Sequence, residues 1–567
     1  MAEPFYVRIN GSRDVAAVNT GQQDFQERVQ YAAMNVTLAA GDKLTCYDAG
    51  SGTAWNIGVI DQYGAYANFA TGSDALKCNV AGTYNIYIKM KMNDDMWYIE
   101  TSNGDTPTPV TPKDYDTAVP SECEDVMLQG FYWNSHENKS YGNTRWTTLT
   151  GQAAEIGSYF TLLWLPPSAE SQGGLGYIAK CYSNQNSSLG SRSELQALIA
   201  AMHNNGVRVL ADIVINHCGN RSSWCDFNSV DFGSYGKFSP QSSWITSNDE
   251  AQGKCSLGSN ADDGQHEANY GAARDWDHKN TNVQNMCKAY TKWMKNVMLY
   301  DGFRYDYCGG FHVSHVDDYN KASKPYFSVM EYWYGDASEL KTRIDQAGKN
   351  TLTFDFALKY NTLRDGIFQK NYTKCKNGGL RGKGYSKYAV TFIDNHDTFE
   401  RGSDNEDVAN KRDGSSVNDK SLMMRCNAYI LSLPGVPCVF YPHWIKYKSE
   451  IKKMIDARRA VGVHSESTVE EDAAKDWYRA TVYGKRGIIQ LMLGTAAADA
   501  QPEGFTAVVK GDDYAMYYKT YPKGIDELTA RRPSLDSTQP MFNIMGQRVN
   551  KDYRGVVIQN GYKYIIQ

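Results

Sequence analysis

The chain has 567 residues, a formal net charge of −5, 41% hydrophobic and 22% charged residues. That is ordinary globular usage, so global disorder is excluded, and the negative net charge with no long basic run argues against nucleic acid and anionic membrane as partners. No apolar stretch approaches the roughly 18 residues of a membrane span, and at roughly 100–200 residues per domain the length predicts three or four domains.

The start, Met1-Ala2-Glu3-Pro4, has no positive n-region and no apolar h-region, which implies either a cytosolic protein or an export signal that is not part of this sequence. Residues 1–100 read as a β-sandwich module. In Tyr84-Asn85-Ile86-Tyr87-Ile88-Lys89-Met90, period two places Tyr84, Ile86, Ile88 and Met90 on one face. Turn signals such as Ala40-Gly41-Asp42 and Ala81-Gly82-Thr83 separate the runs. Residues 101–118, TSNGDTPTPVTPKDYDTA, lack apolar periodicity and form a linker.

From 119 to 464 strands and helices alternate. Ser191-Arg192-Ser193-Glu194 is a capping box, and Leu195, Leu198, Ile199 and Met202 follow at helical spacing until Gly206. Residues 207–215 are an almost continuous apolar run, the pattern of a strand buried on both faces. A second unit repeats it: Met286, Tyr290, Trp293, Met294 and Val297 mark a helix, and Phe303-Arg304-Tyr305-Asp306 starts the next strand. Further strands fit 161–165, 326–330, 352–356, 389–393 and 436–441. This α/β repeat predicts a (β/α)8 TIM barrel, ending in a helix near 448–461. Residues 218–280 are rich in Gly, Ser, Asn and Asp and too long for a bare loop, so they form an excursion domain after strand three. Strand-like runs return over 465–525 as a C-terminal β domain, and 526–567 reads as a linker and a short β tail.

Two compositional features bear on function. The chain has 40 Tyr and 12 Trp, whose faces suit sugar rings when they lie outside a core and simply pack when they do not. Its 12 Cys are scattered singly, which argues against zinc and against a small disulfide scaffold and leaves their pairing open.

Active sites of parallel barrels lie at the C-terminal ends of the strands. Four strand ends here are dense in polar residues: Asn216-His217, Arg304-Tyr305-Asp306, Glu331-Tyr332-Trp333 and Asp394-Asn395-His396-Asp397. A lone Asp after a strand is usually a helix cap; carboxylates at several ends of one barrel point instead to chemistry. Glycoside hydrolysis needs two carboxyl groups across the scissile bond, about 5–5.5 Å apart in retaining enzymes, and Asp306 and Glu331 end adjacent strands, which can meet that distance. Arg304, two residues from Asp306, shares its face and would hold it ionised. Apolar neighbours Met330, Tyr332 and Trp333 would raise Glu331, as a general acid requires.

The segments Leu210-Ala211-Asp212-Ile213-Val214-Ile215-Asn216-His217, Gly302-Phe303-Arg304-Tyr305-Asp306, Val329-Met330-Glu331-Tyr332-Trp333 and Phe392-Ile393-Asp394-Asn395-His396-Asp397 resemble the four ordered signatures of the α-amylase family of glycoside hydrolases. Residues 163–168 and 434–441 resemble its second and eighth strands, so the match covers about 125–465. The resemblance implies Asp306 as nucleophile, Glu331 as acid/base and Asp397 as the carboxylate that stabilises the transition state. It implies sugar-binding roles for Tyr177, His217, Arg304 and His396, and a structural one for Asp212. It also implies a calcium site built from side chains of Asn216, Asn269 and Asp275 and the carbonyls of Ala272 and Gly310, oxygen ligands that suit calcium. Position 269 is Asn where the family pattern has Asp, and Gly309 stands where many members carry a sugar-contacting Lys.

The activity so implied is endo-acting, retaining hydrolysis of α-1,4 bonds in starch, glycogen-like glucans and maltooligosaccharides, by a monomer. The alternatives are a maltogenic, debranching or transglycosylating relative, or a non-catalytic starch-binding protein. The N-terminal module resembles starch-binding modules, with Trp55 and Trp97 as sugar platforms or core residues. The tail from Met541 resembles C-terminal segments of secreted Bacteroidetes proteins, which implies a secreted, cell-surface or periplasmic location.

Overall fold

The computed structural model describes residues 5–23, 27–57, 59–64, 68–91, 95–101, 112–139, 141–261, 263–265, 270–399, 417–521, 540–543, 548–550, 553, 555–559 and 562–566. Eight parallel strands close into a barrel: Met127–Gln129, Leu162–Trp164, Arg208–Ile213, Gly302–Tyr305, Phe327–Met330, Leu352–Phe354, Ala389–Phe392 and Val436–Phe440. We refer to them as strands one to eight.

The continuous apolar runs have a direct cause. Leu210, Phe327, Val329, Leu352, Phe354, Val390, Phe392 and Val436 belong to one buried cluster inside the barrel. Val209, Ala211, Ile213, Phe303 and Met330 belong to another, shared with the helices. Both faces are buried, so neither can be polar. The same alternation sets the direction of the polar residues at the strand ends. Leu210 points inward, so Asp212 does too; Val329 points inward, and so does Glu331.

The helix over residues 192–204 starts on the predicted box: Ser191 Oγ accepts from Glu194 N–H at 3.3 Å, and Glu194 Oε2 accepts from Ser191 N–H at 2.7 Å. The last barrel helix starts earlier than expected, at Tyr441, and runs to Val461. Pro442 is tolerated there because the first-turn N–H groups have no helical partner anyway. Tyr447 leaves helical φ/ψ, so the predicted start near 448 marks a kink rather than an end.

The excursion leaves strand three through His217–Cys218, which pairs antiparallel with Arg274–Asp275 on its return. Cys225 and Cys255 form a disulfide within it; the other ten cysteines are not disulfide-bonded. Residues 468–520 form a five-stranded antiparallel sheet whose Tyr478, Val482, Ile489, Leu491 and Met516 join the helix-side core. Short strands at Met541–Asn543, Arg548–Val549, Gly555–Gln559 and Tyr562–Ile566 follow.

Strands between residues 5 and 101 form a separate ten-stranded sheet. The long strand Arg13–Gln23 pairs with Phe5–Ile9 through its first half and with Val29–Leu38 through its second. Both halves contribute to one apolar cluster, with Val7, Leu44 and Cys46 from one and Ala33, Ile86, Ile88 and Ile99 from the other. Tyr84, Ile86 and Ile88 are buried on the predicted face, and Met90 packs against it.

Candidate active site

Arg304 is the centre of the site and is completely buried. It faces Asp212 on strand three, with which it is in register, and Glu331 past the end of strand five. Nη1 donates to Asp212 Oδ1 at 2.8 Å and to Asp306 Oδ1 at 2.5 Å. Nη2 is ion-paired with Glu331 Oε1 at 2.8 Å. One guanidinium thus gathers three carboxylates at the mouth of the barrel, the fork geometry that arginine offers and lysine does not.

The electrostatics separate these carboxylates. Burial pushes Asp212 up to about 7 against the pull of Arg304. Burial also raises Glu331, with Arg304 opposing and Asp306 adding to the rise. Tyr307 N–H donates to Glu331 Oε2 at 3.1 Å and fixes its orientation. Burial thus favours the protonated form of both carboxyls, while Arg304 favours the charged form.

Asp212 holds its neighbours in place, as expected of a structural residue. Its Oδ2 accepts from Tyr177 Oη at 2.9 Å and from Trp164 Nε1 at 3.0 Å, so it joins Arg304 to the aromatic wall. The barrel register pairs it with Arg304; nothing local to residue 212 announces that contact. Tyr177 reaches the site from a turn that needs glycine. Gly176 has φ +105°, and a Cβ there would meet the Pro167 carbonyl at 2.7 Å.

The remaining expected residues cluster here. His396 stacks on Tyr177, centroids 4.9 Å apart, and lies parallel to Trp133, a residue the sequence reading missed. His396 Nε2 is 3.1 Å from Asp397 Oδ2, and Nδ1 is 3.1 Å from Gln129 Nε2. His217 Nε2 lies 2.9 Å from the Tyr177 carbonyl, and its ring stacks on Tyr270 at 4.0 Å. Burial lowers His217 to about 4, so it is neutral over most of the working pH range and its Nε2–H donates to that carbonyl.

The oxygen-rich cluster sits behind His217. Asn216 Nδ2 donates to Asp275 Oδ1 at 3.2 Å, and Tyr270 N–H donates to Asp275 Oδ2 at 2.8 Å. Gly310 lies against Asn216: a Cβ on it would run into Asn216 Oδ1. Ala272 is on the exposed turn between Tyr270 and Ala273. Asn269 lies outside the described residues. Buried Asp249 and half-buried Glu250 join Asp275 in an acidic group that could hold a metal ion, but Arg274 is ion-paired with both Asp249 and Glu250. The oxygen donors of Asn216, Asp275 and the nearby backbone fit a hard cation.

The N-terminal tryptophans behave differently. Trp97 is fully buried in the core of the first module. It shares strand parity with buried Ile99, so it faces inward and offers no ring face to a sugar; that expectation is corrected. Trp55 is half-buried and packs edge-on against Phe5, with ring centroids 6.3 Å apart.

Comparison with known proteins agrees with the site. The family model for the α-amylase catalytic domain matches residues 154–354. "Probable alpha-amylase 2" of Arabidopsis thaliana is 30% identical over 423 residues, covering 70% of this chain and 94% of that protein. A glucan 1,4-alpha-maltotetraohydrolase of Stutzerimonas stutzeri is 27% identical over 404 residues, covering 66% of this chain and 68% of that protein. The crystal structure of an Anoxybacillus α-amylase superposes with TM-score 0.52 at 14% identity, covering 72% of this chain and all of that one, a likeness of fold. This chain therefore belongs to the α-amylase family of glycoside hydrolases.

Proposed function

We propose that the protein is an endo-acting, retaining hydrolase of α-1,4-glucosidic bonds in starch and related glucans. The observation that carries this reading is the convergence of Asp306 and Glu331 on the two terminal nitrogens of Arg304. That closeness favours the retaining arrangement over the wider one that leaves room for a water. Asp306 attacks the anomeric carbon while Glu331 gives its proton to the departing glycosidic oxygen. A water, deprotonated by Glu331, then cleaves the glycosyl–Asp306 ester. Asp397, hydrogen-bonded through its backbone and beside His396, supplies negative charge to the oxocarbenium-like transition state. Tyr177, His217 and His396 hold the ring being cleaved.

Asp306→Asn and Glu331→Gln should each abolish starch hydrolysis with a native-like melt. Product length by chromatography, and the anomer released by NMR, test the endo and retaining parts. Early release of maltose alone would favour a maltogenic relative.

We assign the oxygen cluster to calcium, held by Asn216, Asp275 and the carbonyls of Ala272 and Gly310. A bound ion would staple both ends of the excursion to the barrel and so support His217. The Cys225–Cys255 disulfide supports an oxidising, extracytoplasmic location. No described helix is long and apolar enough to cross a membrane. Residues 1–100 are read as an accessory module for polymeric starch, with Trp55 the remaining tryptophan platform.

A further inference from the structure

Three side chains that this mechanism does not use are buried together near Asp397. Lys359, Asp394 and His443 are 1%, 2% and 1% exposed. They come from three consecutive units of the barrel. Lys359 lies in the π-helix Leu358–Phe368 after strand six, Asp394 just past strand seven, and His443 in the first turn of the helix after strand eight. Lys359 Nζ donates to the Ile393 carbonyl at 2.5 Å and to Asp394 Oδ1 at 3.0 Å. His443 Nε2 is 3.3 Å from Asp394 Oδ2. Burial would raise Asp394, but Lys359 and His443 overcome it and hold the carboxyl well below its usual range.

Burying a charged pair is costly, and well-packed apolar residues often do as well for stability. What the pair touches suggests its use. Asp394 Oδ1 accepts from the Thr398 hydroxyl at 3.2 Å. Thr398 Oγ1 in turn accepts from Asn395 N–H at 3.0 Å. Asn395 Oδ1 accepts from the N–H groups of Asp397 at 2.9 Å and Thr398 at 2.8 Å. The turn that carries His396 and Asp397 is thus tied, bond by bond, to a carboxylate that is itself fixed from both flanking units.

We propose that Lys359 and Asp394 are positioning residues for catalysis: their ion pair, acting through Thr398 and Asn395, clamps the 394–398 turn so that Asp397 meets the transition state. This rests on the role assigned to Asp397. A carboxylate displaced by an ångström loses transition-state contact more than ground-state contact, so the cost falls on kcat.

The test uses the full chain and a short chromogenic maltooligosaccharide. Thr398→Val removes the bridging hydroxyl at constant shape; Thr398→Ser keeps it. Lys359→Met removes the cation. Thr398→Val and Lys359→Met should lower kcat by about 10- to 100-fold with KM within about twofold, and Thr398→Ser should recover most of the loss. A merely structural clamp would lower the melting temperature and leave kcat of the folded fraction unchanged, and that result would overturn the proposal. If Lys359→Met fails to fold, the Thr398 pair decides alone. Asp397→Asn is run alongside. If it keeps parental turnover, the role of Asp397 is wrong. If it is inactive while Thr398→Val and Lys359→Met are fully active, only the positioning proposal fails.

Discussion

Replacing Arg304 by Met should move the pH–rate profile rather than simply abolish activity. The structure supplies the magnitude. Arg304 lies 2.8, 2.5 and 2.8 Å from oxygens of Asp212, Asp306 and Glu331. Charge centres in such pairs are about 4 Å apart, where one unit pair is worth about 4 kcal/mol at an effective dielectric near 20. At about 1.36 kcal/mol per pH unit, losing the guanidinium should move the acid-side limb of kcat/KM, on which the nucleophile ionises, upward by about three units. Well below that limb the variant should lose activity tenfold per unit. Arg304→Lys keeps a charge but not the fork, so its limb should move less. The assay is kcat/KM on a short maltooligosaccharide from pH 4 to 9, well below the melting temperature of each variant. A folded Arg304→Met protein whose acid limb stays within half a unit of the parent's would refute the assignment of Arg304 as the group that keeps Asp306 ionised.

Other outcomes follow from the same geometry. Because burial raises Glu331 and the acid form is the active one, activity should extend above the ordinary carboxylate range and fall as Glu331 deprotonates. With an aryl maltoside whose leaving group needs little protonation, Glu331→Gln should show no such alkaline limb. A chelator should lower the melting temperature and calcium should restore it, by up to about 2.7 kcal/mol of stability when the ion is at 100 times its Kd. Asp275→Ala and Gly310→Ala, whose new Cβ would collide with Asn216, should both blunt that response in thermal melts. Deleting residues 1–118 should leave turnover of short soluble substrates within about twofold, because the first module has its own core. The same deletion should weaken binding to granular starch in a pull-down, through lost effective concentration; equal binding would reduce the module to a spacer.

Much of this protein was legible in local pattern. Period two placed Tyr84, Ile86 and Ile88 in a core, and the Ser191 box placed a helix start to the residue, because both depend only on neighbours in sequence. Strand parity even aimed Arg304 and Asp306 the same way. The helix start at Tyr441 was less clear, since a kink at Tyr447 breaks the periodicity that reveals a helix. Trp97 could not be judged from its own strand: parity says that it faces with Ile99, but only the first half of the sheet, which brings Val7, Leu44 and Cys46 into the same cluster, makes that face the inside. The Cys225–Cys255 pair was likewise open among twelve single cysteines.

The sequence by itself determined which residues carry charge, which alternate and where strands end, because those are properties of short windows. Only the tertiary structure decided which carboxylates share a cation. Asp212 and Arg304 are 92 residues apart and meet because the third and fourth strands pair in one register. Lys359, Asp394 and His443 meet because parallel pairing of strands six, seven and eight sets those units side by side. Such contacts depend on long-range pairing, where a shift of one residue would turn every side chain of a strand to the other face.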